Sequence, residues 1–294
     1  MNILMCVPNV SEGRDEAKVE RLAGLLGQQP GVKLIDLSSD RDHNRSVFSY
    51  LGSPEAVLAA TKLFAEAVLE SVDMTTHKGS HPRNGALDTV PFIPVGDTTT
   101  EEAVAVAREF GRFVGARGVP VYYYEDAATR PERVSLVDVR RGEYEALAEK
   151  LRDPAWMPDE GPAEFVPRSG AVQVAARFPL VAFNVNLRTD DLSVATRIAH
   201  AVRHRDGGFH FVRAIGLELQ GTGMVQVSMN LTNYTQTPIP RVLEAIRTEA
   251  ARYGVLVAGA ELVGPVPLGA LEEVVRHYLQ IHDFAMSQTI EMNV

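Results

Sequence analysis

Thr76 to Asp88 packs two histidines, a lysine, an arginine and an aspartate into thirteen residues, with Gly79, Pro82 and Gly85 among them. Pro82 lacks an amide hydrogen and Gly79 admits unusual dihedrals, so no regular helix is expected here. A polar loop of titratable groups between apolar segments reads as a site. Histidine is the side chain best suited to move protons near neutral pH. His81 is the leading candidate. Moving a one-carbon unit between two amines needs a base for the attacking nitrogen and an acid for the departing one. One histidine can serve as both in sequence. The competing reading is a histidine that braces the loop through hydrogen bonds.

His77 and His81 lie four residues apart, the spacing of a metal pair on a helix. Gly79 and Pro82 argue against that helix, and one cysteine with scattered carboxylates offers little else. No metal site is therefore expected, and His77 reads as a supporting residue. Arg83 carries a planar fork suited to clamping a substrate carboxylate. Its alternative is an ion pair with Asp88. Lys78 is a weaker form of the same idea.

Two further loops hold candidates. Asp40 to Ser46 joins two expected strands; His43, Asn44 and Arg45 read as functional, whereas Asp40 and Arg41 suit a solvated connection. Val7 to Arg14 joins the first strand to the first helix. Asn9 and Ser11 offer amide and hydroxyl contacts there, and the helix N-terminus can receive an anion. For Ser11 alone, helix capping is the favoured reading. Further on, Asn184 and Asn186 alternate with Val185 and Leu187, and Ser228 and Asn230 with Met229 and Leu231. Asn is depleted in strands, so a sheet face lining a wet cleft is favoured over an ordinary exposed face. No GxGxxG, P-loop or GxSxG motif is present. Gly221-Thr222-Gly223 lacks the strand–helix context of a dinucleotide site.

The elements that must position these residues follow from apolar spacing. Strands are expected at 2–7, 32–37, 46–51, 90–95 and 119–124, and helices at 15–28, 54–71 and 100–116. Ser53-Pro54-Glu55 opens the second helix with proline in its first turn. Residues 143–151 look helical. Between 153 and 167, proline and glycine mark an ordered loop or linker, although Trp156 and Phe165 would be costly to expose in a mere tether. The pattern restarts with strands at 179–187, 209–219, 223–231 and 255–258 and helices at 191–204, 238–253 and 269–280. Each half thus reads as β-α-β-β-α-β, the first with additions. The expected fold is α+β, with two ferredoxin-like subdomains whose sheets face a central substrate cleft.

The 294 residues suit one large domain or two moderate ones, and 45% of them are hydrophobic. A net charge of −9 argues against a general nucleic-acid binder. Local arginines and helix N-termini still permit an anionic small substrate. No apolar run reaches membrane-spanning length, and the N-terminus lacks a signal-type core. Cys6 is the only cysteine, so no internal disulfide can form and a cytoplasmic setting is expected. A buried small hydrophobe is the favoured reading of Cys6.

Several segments resemble the glutamate formimidoyltransferase (formiminotransferase) family. They are Cys6 to Arg14, His43 to Val47, Gly79 to Asp88, Pro91 to Val95, Gly161 to Pro167, Ala182 to Leu187 and Leu262 to Gly264. They are collinear and span nearly the whole chain. The resemblance implies an N-terminal formiminotransferase subdomain over 1–178 and a C-terminal one over 179–294. It further implies a homodimer and transfer of a formimidoyl group from N-formimidoyl-L-glutamate to tetrahydrofolate as co-substrate, with no metal. The family's catalytic histidine maps onto His81. Its folate-contacting segment maps onto Gly161, Pro162, Ala163, Glu164, Phe165, Val166, Pro167, Arg168, Ser169 and Gly170, which turns the proline-rich stretch into a binding loop. Arg168-Ser169 departs from the Ser-Trp pair of the animal enzyme, which removes one aromatic contact. In the animal enzyme a cyclodeaminase domain follows; with Val294 last, that activity is expected from a separate protein. Formyl transfer, hydrolysis of formimidoyl- or formylglutamate, and folate binding without turnover are the alternatives.

Overall fold

Asn2–Cys6 (β1) points Leu4 and Cys6 inward, and burial pushes the Cys6 thiol up to about 12, consistent with a packing role. The computed structural model describes residues 2–293 and forms a mixed α+β fold with two sheets. Two compact units result, one ending at Phe178 and the other beginning at Pro179.

In the first unit, β1 is followed by Asn9–Val10 (β2), Glu16–Gly27 (α1), Val32–Asp40 (β3), Arg45–Gly52 (β4), Pro54–Ser71 (α2), Leu87–Gly96 (β5), Thr100–Gly115 (α3) and Val121–Glu125 (β6). The short helices Leu136–Val139 (α4) and Leu147–Lys150 (α5) precede Val172–Ala176 (β7). β1 pairs antiparallel with both β4 and β5, and β3 pairs with β4. β2 enters between β4 and β5, and β7 and β6 extend the sheet in parallel from β5. The helix caps are written locally. Ser53 accepts from the Ala56 amide at the start of α2, and Thr99 and Glu102 form a reciprocal capping box on α3.

Three features depart from the expected pattern, and a fourth decides a reading left open. β7 was not anticipated. Its Val-Gln-Val-Ala-Ala run is buried throughout, so it lacks the alternation of a half-exposed strand. β2, also unanticipated, lies within the loop read from Val7 to Arg14; its two residues continue the ladder of β1. The region expected to be helical at 143–151 is a 3₁₀ turn at Tyr144–Ala146 followed by the single turn of α5. Of the two readings of the proline-rich segment, ordered loop or linker, the packing favours the ordered loop. Trp156 and Phe165 pack on a cluster containing Tyr122, Tyr124, Val139 and Leu147, which covers one face of β6 and β7. α1 to α3 belong to the larger core with Leu4, Phe48, Phe64 and Phe110.

The second unit contains Val181–Leu187 (β8), Leu192–Val202 (α6), Val212–Leu219 (β9), Met224–Leu231 (β10), Ile239–Arg252 (α7), Val257–Val263 (β11) and Leu268–Leu279 (α8). Its antiparallel sheet runs β11-β8-β10-β9, so β10 separates the two strands that α6 connects. That is the split β-α-β arrangement. β11 starts and ends later than the expected 255–258; the ladder to β8 shifts register between Val257 and Gly259 and then continues to Val263, past the point where the apolar pattern stops. β8 alternates strictly, with Val181, Phe183, Val185 and Leu187 in the core. Among the described residues no helix is long and apolar enough to cross a membrane.

Candidate active site

The His81 loop lies in the first unit, between α2 and β5, and residues 77–84 form neither helix nor strand. Two neighbouring loops hold it. The Asn44 amide accepts from Gly13 N at 3.0 Å and donates to the Lys78 carbonyl at 3.0 Å. Asn44 adopts φ 50°, a left-handed conformation that asparagine tolerates better than most residues. Its side chain therefore braces both loops. Gly79 is required for space, not for its dihedral: a Cβ there would lie 2.2 Å from the His43 carbonyl. Ser11 does not cap α1. Asp15 does that, and the Ser11 hydroxyl donates to the Gly85 carbonyl at 2.7 Å. Ser11 was thus assigned the wrong task from sequence, because its partner is 74 positions away.

Hydrogen bonds fix both histidine tautomers. The Pro82 carbonyl can only accept, so His81 Nδ1, 2.7 Å away, carries the proton and donates. His81 Nε2 is then the basic nitrogen. Burial, with the charges of Arg45 and Arg140, pushes His81 down to about 4, so it is neutral at physiological pH. His77 Nε2 lies 3.0 Å from the Asn44 carbonyl, and Arg83 Nε donates to His77 Nδ1 at 3.4 Å. Burial holds His77 below its ordinary value. It supports the loop, and among the described residues no group of three metal-ligating side chains occurs.

The site is a shallow surface depression lined by Ser11, His43, Asn44, Arg45, His77, His81, Arg83 and Asp88. His43 stacks edge-on to His81 at 5.8 Å, and its Nδ1 lies 3.1 Å from Asp40. Asp88 does not pair with Arg83. Its Oδ1 accepts from Asn84 N at 2.8 Å, and its Oδ2 holds Arg140. Arg83 instead pairs with Glu145 and Glu143, carried by the segment expected to be helical and not marked as part of the site. Burial pushes Arg45 down to about 10 against the attraction of Asp88, and its Nε is buried without a hydrogen-bond partner. Asn9 donates to the Val7 carbonyl, leaving Oδ1 buried and unpartnered. Two guanidinium groups, Arg45 and Arg140, face the one Asp88 carboxylate. The local charge suits an anion despite the acidic chain.

The segment expected to contact folate has two anchorages. Gly161, at φ 82°, packs against the Val119 carbonyl, and Pro162, Ala163 and Glu164 follow as an irregular turn. Residues 169–171 reach the end of the His81 loop. Ala86 N donates to the Ser169 carbonyl at 2.8 Å, and Ala171 N to that of Asn84 at 3.0 Å. Gly170 closes on Gly85, and Val166 accepts from Gly170 N. Arg168 donates to the Glu70 carbonyl. Pro167 accepts from the Tyr144 hydroxyl at 2.6 Å.

The two units match consecutive family profiles. The formiminotransferase domain's N-terminal subdomain covers residues 3–177, and the formiminotransferase domain covers 182–293. The chain belongs to the formiminotransferase family. It is 42% identical over 292 residues to the glutamate formimidoyltransferase of Streptococcus pyogenes, covering 99% of this chain and 98% of that protein. It is 43% identical to the glutamate formimidoyltransferase of Thermoplasma acidophilum, with 99% and 97% coverage. The formimidoyltransferase-cyclodeaminase of Mus musculus is 40% identical over 283 residues, and the match covers 52% of its length.

In this formiminotransferase, Asn184 and Asn186 sit on β8 in the second unit. Asn186 donates to Glu261 at 2.7 Å and accepts from Gln226 at 2.8 Å, while Asn184 accepts from Met229 N. They share a polar sheet face as expected, with Gln226 and Glu261 as members that alternation in β8 alone does not reveal.

Proposed function

We propose that this chain transfers the formimidoyl group of N-formimidoyl-L-glutamate to N5 of tetrahydrofolate, yielding 5-formimidoyltetrahydrofolate and L-glutamate. The observation that carries the reading is the Nδ1–H of His81 bonded to the Pro82 carbonyl, which leaves Nε2 unprotonated beside Arg45. Membership of the formiminotransferase family supports this choice of donor and acceptor. Arg45 lines the depression and offers a guanidinium to a substrate carboxylate, whereas Asn9 lies outside that lining.

His81 Nε2 takes the proton from the attacking amine as the new C–N bond forms. It then returns that proton to the glutamate nitrogen as the old C–N bond breaks, so atoms and charge balance. Arg45 attracts substrate carboxylate, and residues 165–170 support tetrahydrofolate beside the loop. The test is one turnover assay with formimidoyl- and formylglutamate, each with and without tetrahydrofolate. Glutamate release only with the formimidoyl donor plus tetrahydrofolate is expected. Release without tetrahydrofolate would make the chain a hydrolase instead.

The pH dependence has a defined sign. Neutral His81 is the working form, so kcat/KM should fall as pH drops through about 4 and stay level from there to neutrality. A carboxylate seated on Arg45 weakens the repulsion that lowers His81. The acid limb of kcat, which reports the bound complex, should therefore lie above that of kcat/KM. Coincident limbs at 6.5, the ordinary histidine value, would contradict this.

A further inference from the structure

Arg83 lines the His81 depression, yet its fork is already filled. Its Nη1 and Nη2 donate to Glu145 at 2.8 and 2.6 Å, and Glu143 adds a contact at 3.3 Å. The partners are unequally held. The Arg83 side chain is 10% exposed, whereas that of Glu145 is 64% exposed. Burial therefore fixes the arginine and not the carboxylate. Both glutamates ride on a strap, residues 142–146, that touches both parts of the site. Tyr144 N donates to the Arg83 carbonyl, its hydroxyl to that of Pro167, and its ring packs 5.4 Å from Phe165. The strap is strained where it turns. Glu143 has φ 56° and ψ −161°, a region otherwise reserved for glycine.

We propose that Glu145 competes with a carboxylate of the glutamate substrate for Arg83, making the 142–146 strap a specificity element that yields this arginine to a dicarboxylate. The inference rests on the formimidoylglutamate reading above. Carboxylate for carboxylate is a balanced exchange: the substrate group takes over both Arg83 contacts, and Glu145 passes into water it already half occupies. With Glu145 largely exposed, its half of the pair is screened by water and can be displaced by a ligand carboxylate.

The experiment is Glu145→Gln, read by calorimetric titration of L-glutamate and by KM for formimidoylglutamate. Glu66→Gln, which removes the same charge from an exposed pair with Arg117, serves as the control. Glu145→Gln should bind L-glutamate about two- to fivefold more tightly and lower KM by the same factor, leaving KM for tetrahydrofolate unmoved. Glu66→Gln should change neither. Unchanged or weaker glutamate binding by Glu145→Gln, or an equal shift in the control, overturns the proposal, because Glu145 is then scaffold. Absence of turnover in the parent chain would defeat the functional reading instead, and the glutamate titration would still decide the strap.

Discussion

Replacing His81 by asparagine should lower kcat about 10²–10⁴-fold, with KM for either substrate nearly unchanged. The asparagine amide can still donate to the Pro82 carbonyl, as Nδ1 does, so the loop has no reason to move. What it lacks is Nε2. Without a basic nitrogen, the attacking amine must lose its proton to water, and the departing glutamate nitrogen must collect one from water. Adding free imidazole should restore part of the rate, because the proton carrier is the only missing group. An unchanged melting temperature would show that the fold survives. His81→Asn turning over at the parent rate would end the assignment. The rival account, in which His81 only braces the loop, predicts a loss of stability instead.

The parts of this molecule that were legible in its sequence are those set by neighbours along the chain. α2 matches the expected 54–71 because Ser53, Pro54 and the apolar spacing lie within a few turns of one another. β8 and its polar face follow from alternation alone. The irregular loop around His81 follows from Gly79 and Pro82. What escaped is what partners decide at long range. β7 is a strand because β5 and β6 flank it, and a fully buried parallel strand shows no period. Ser11 looks like a cap until Gly85 is brought to it. Arg140 and Glu145 sit in a weakly patterned stretch 52 and 62 positions from their partners, and nothing local marks either as belonging to the site. Asp88 was noticed, but as the partner of the wrong arginine. Opposite charges identify candidates for pairing; only the backbone path chooses among them.

That choice gives the second large effect. Asp88→Asn should destabilise the chain by about 3–5 kcal/mol, the usual consequence of removing one partner from a buried ion pair. The Asp88 side chain is 2% exposed and that of Arg140 15%, so water cannot substitute. The carboxylate accepts from two donors at once, Asn84 N on Oδ1 and Arg140 on Oδ2. An amide has one oxygen. Whichever donor it satisfies, its own N–H₂ faces the other. Activity should fall as well, since Asn84 N is part of the turn that carries His81, and Arg45 and Arg140 would face His81 without a neutralising carboxylate. The acid limb of kcat/KM should then move further down. Urea unfolding of Asp88→Asn, Arg140→Met and the double variant separates the effects. The double variant should be more stable than Asp88→Asn alone, because it removes one of the two guanidinium groups left without the Asp88 carboxylate, yet it should not recover full activity. A midpoint for Asp88→Asn equal to that of the parent would show that this pair does not hold the loop.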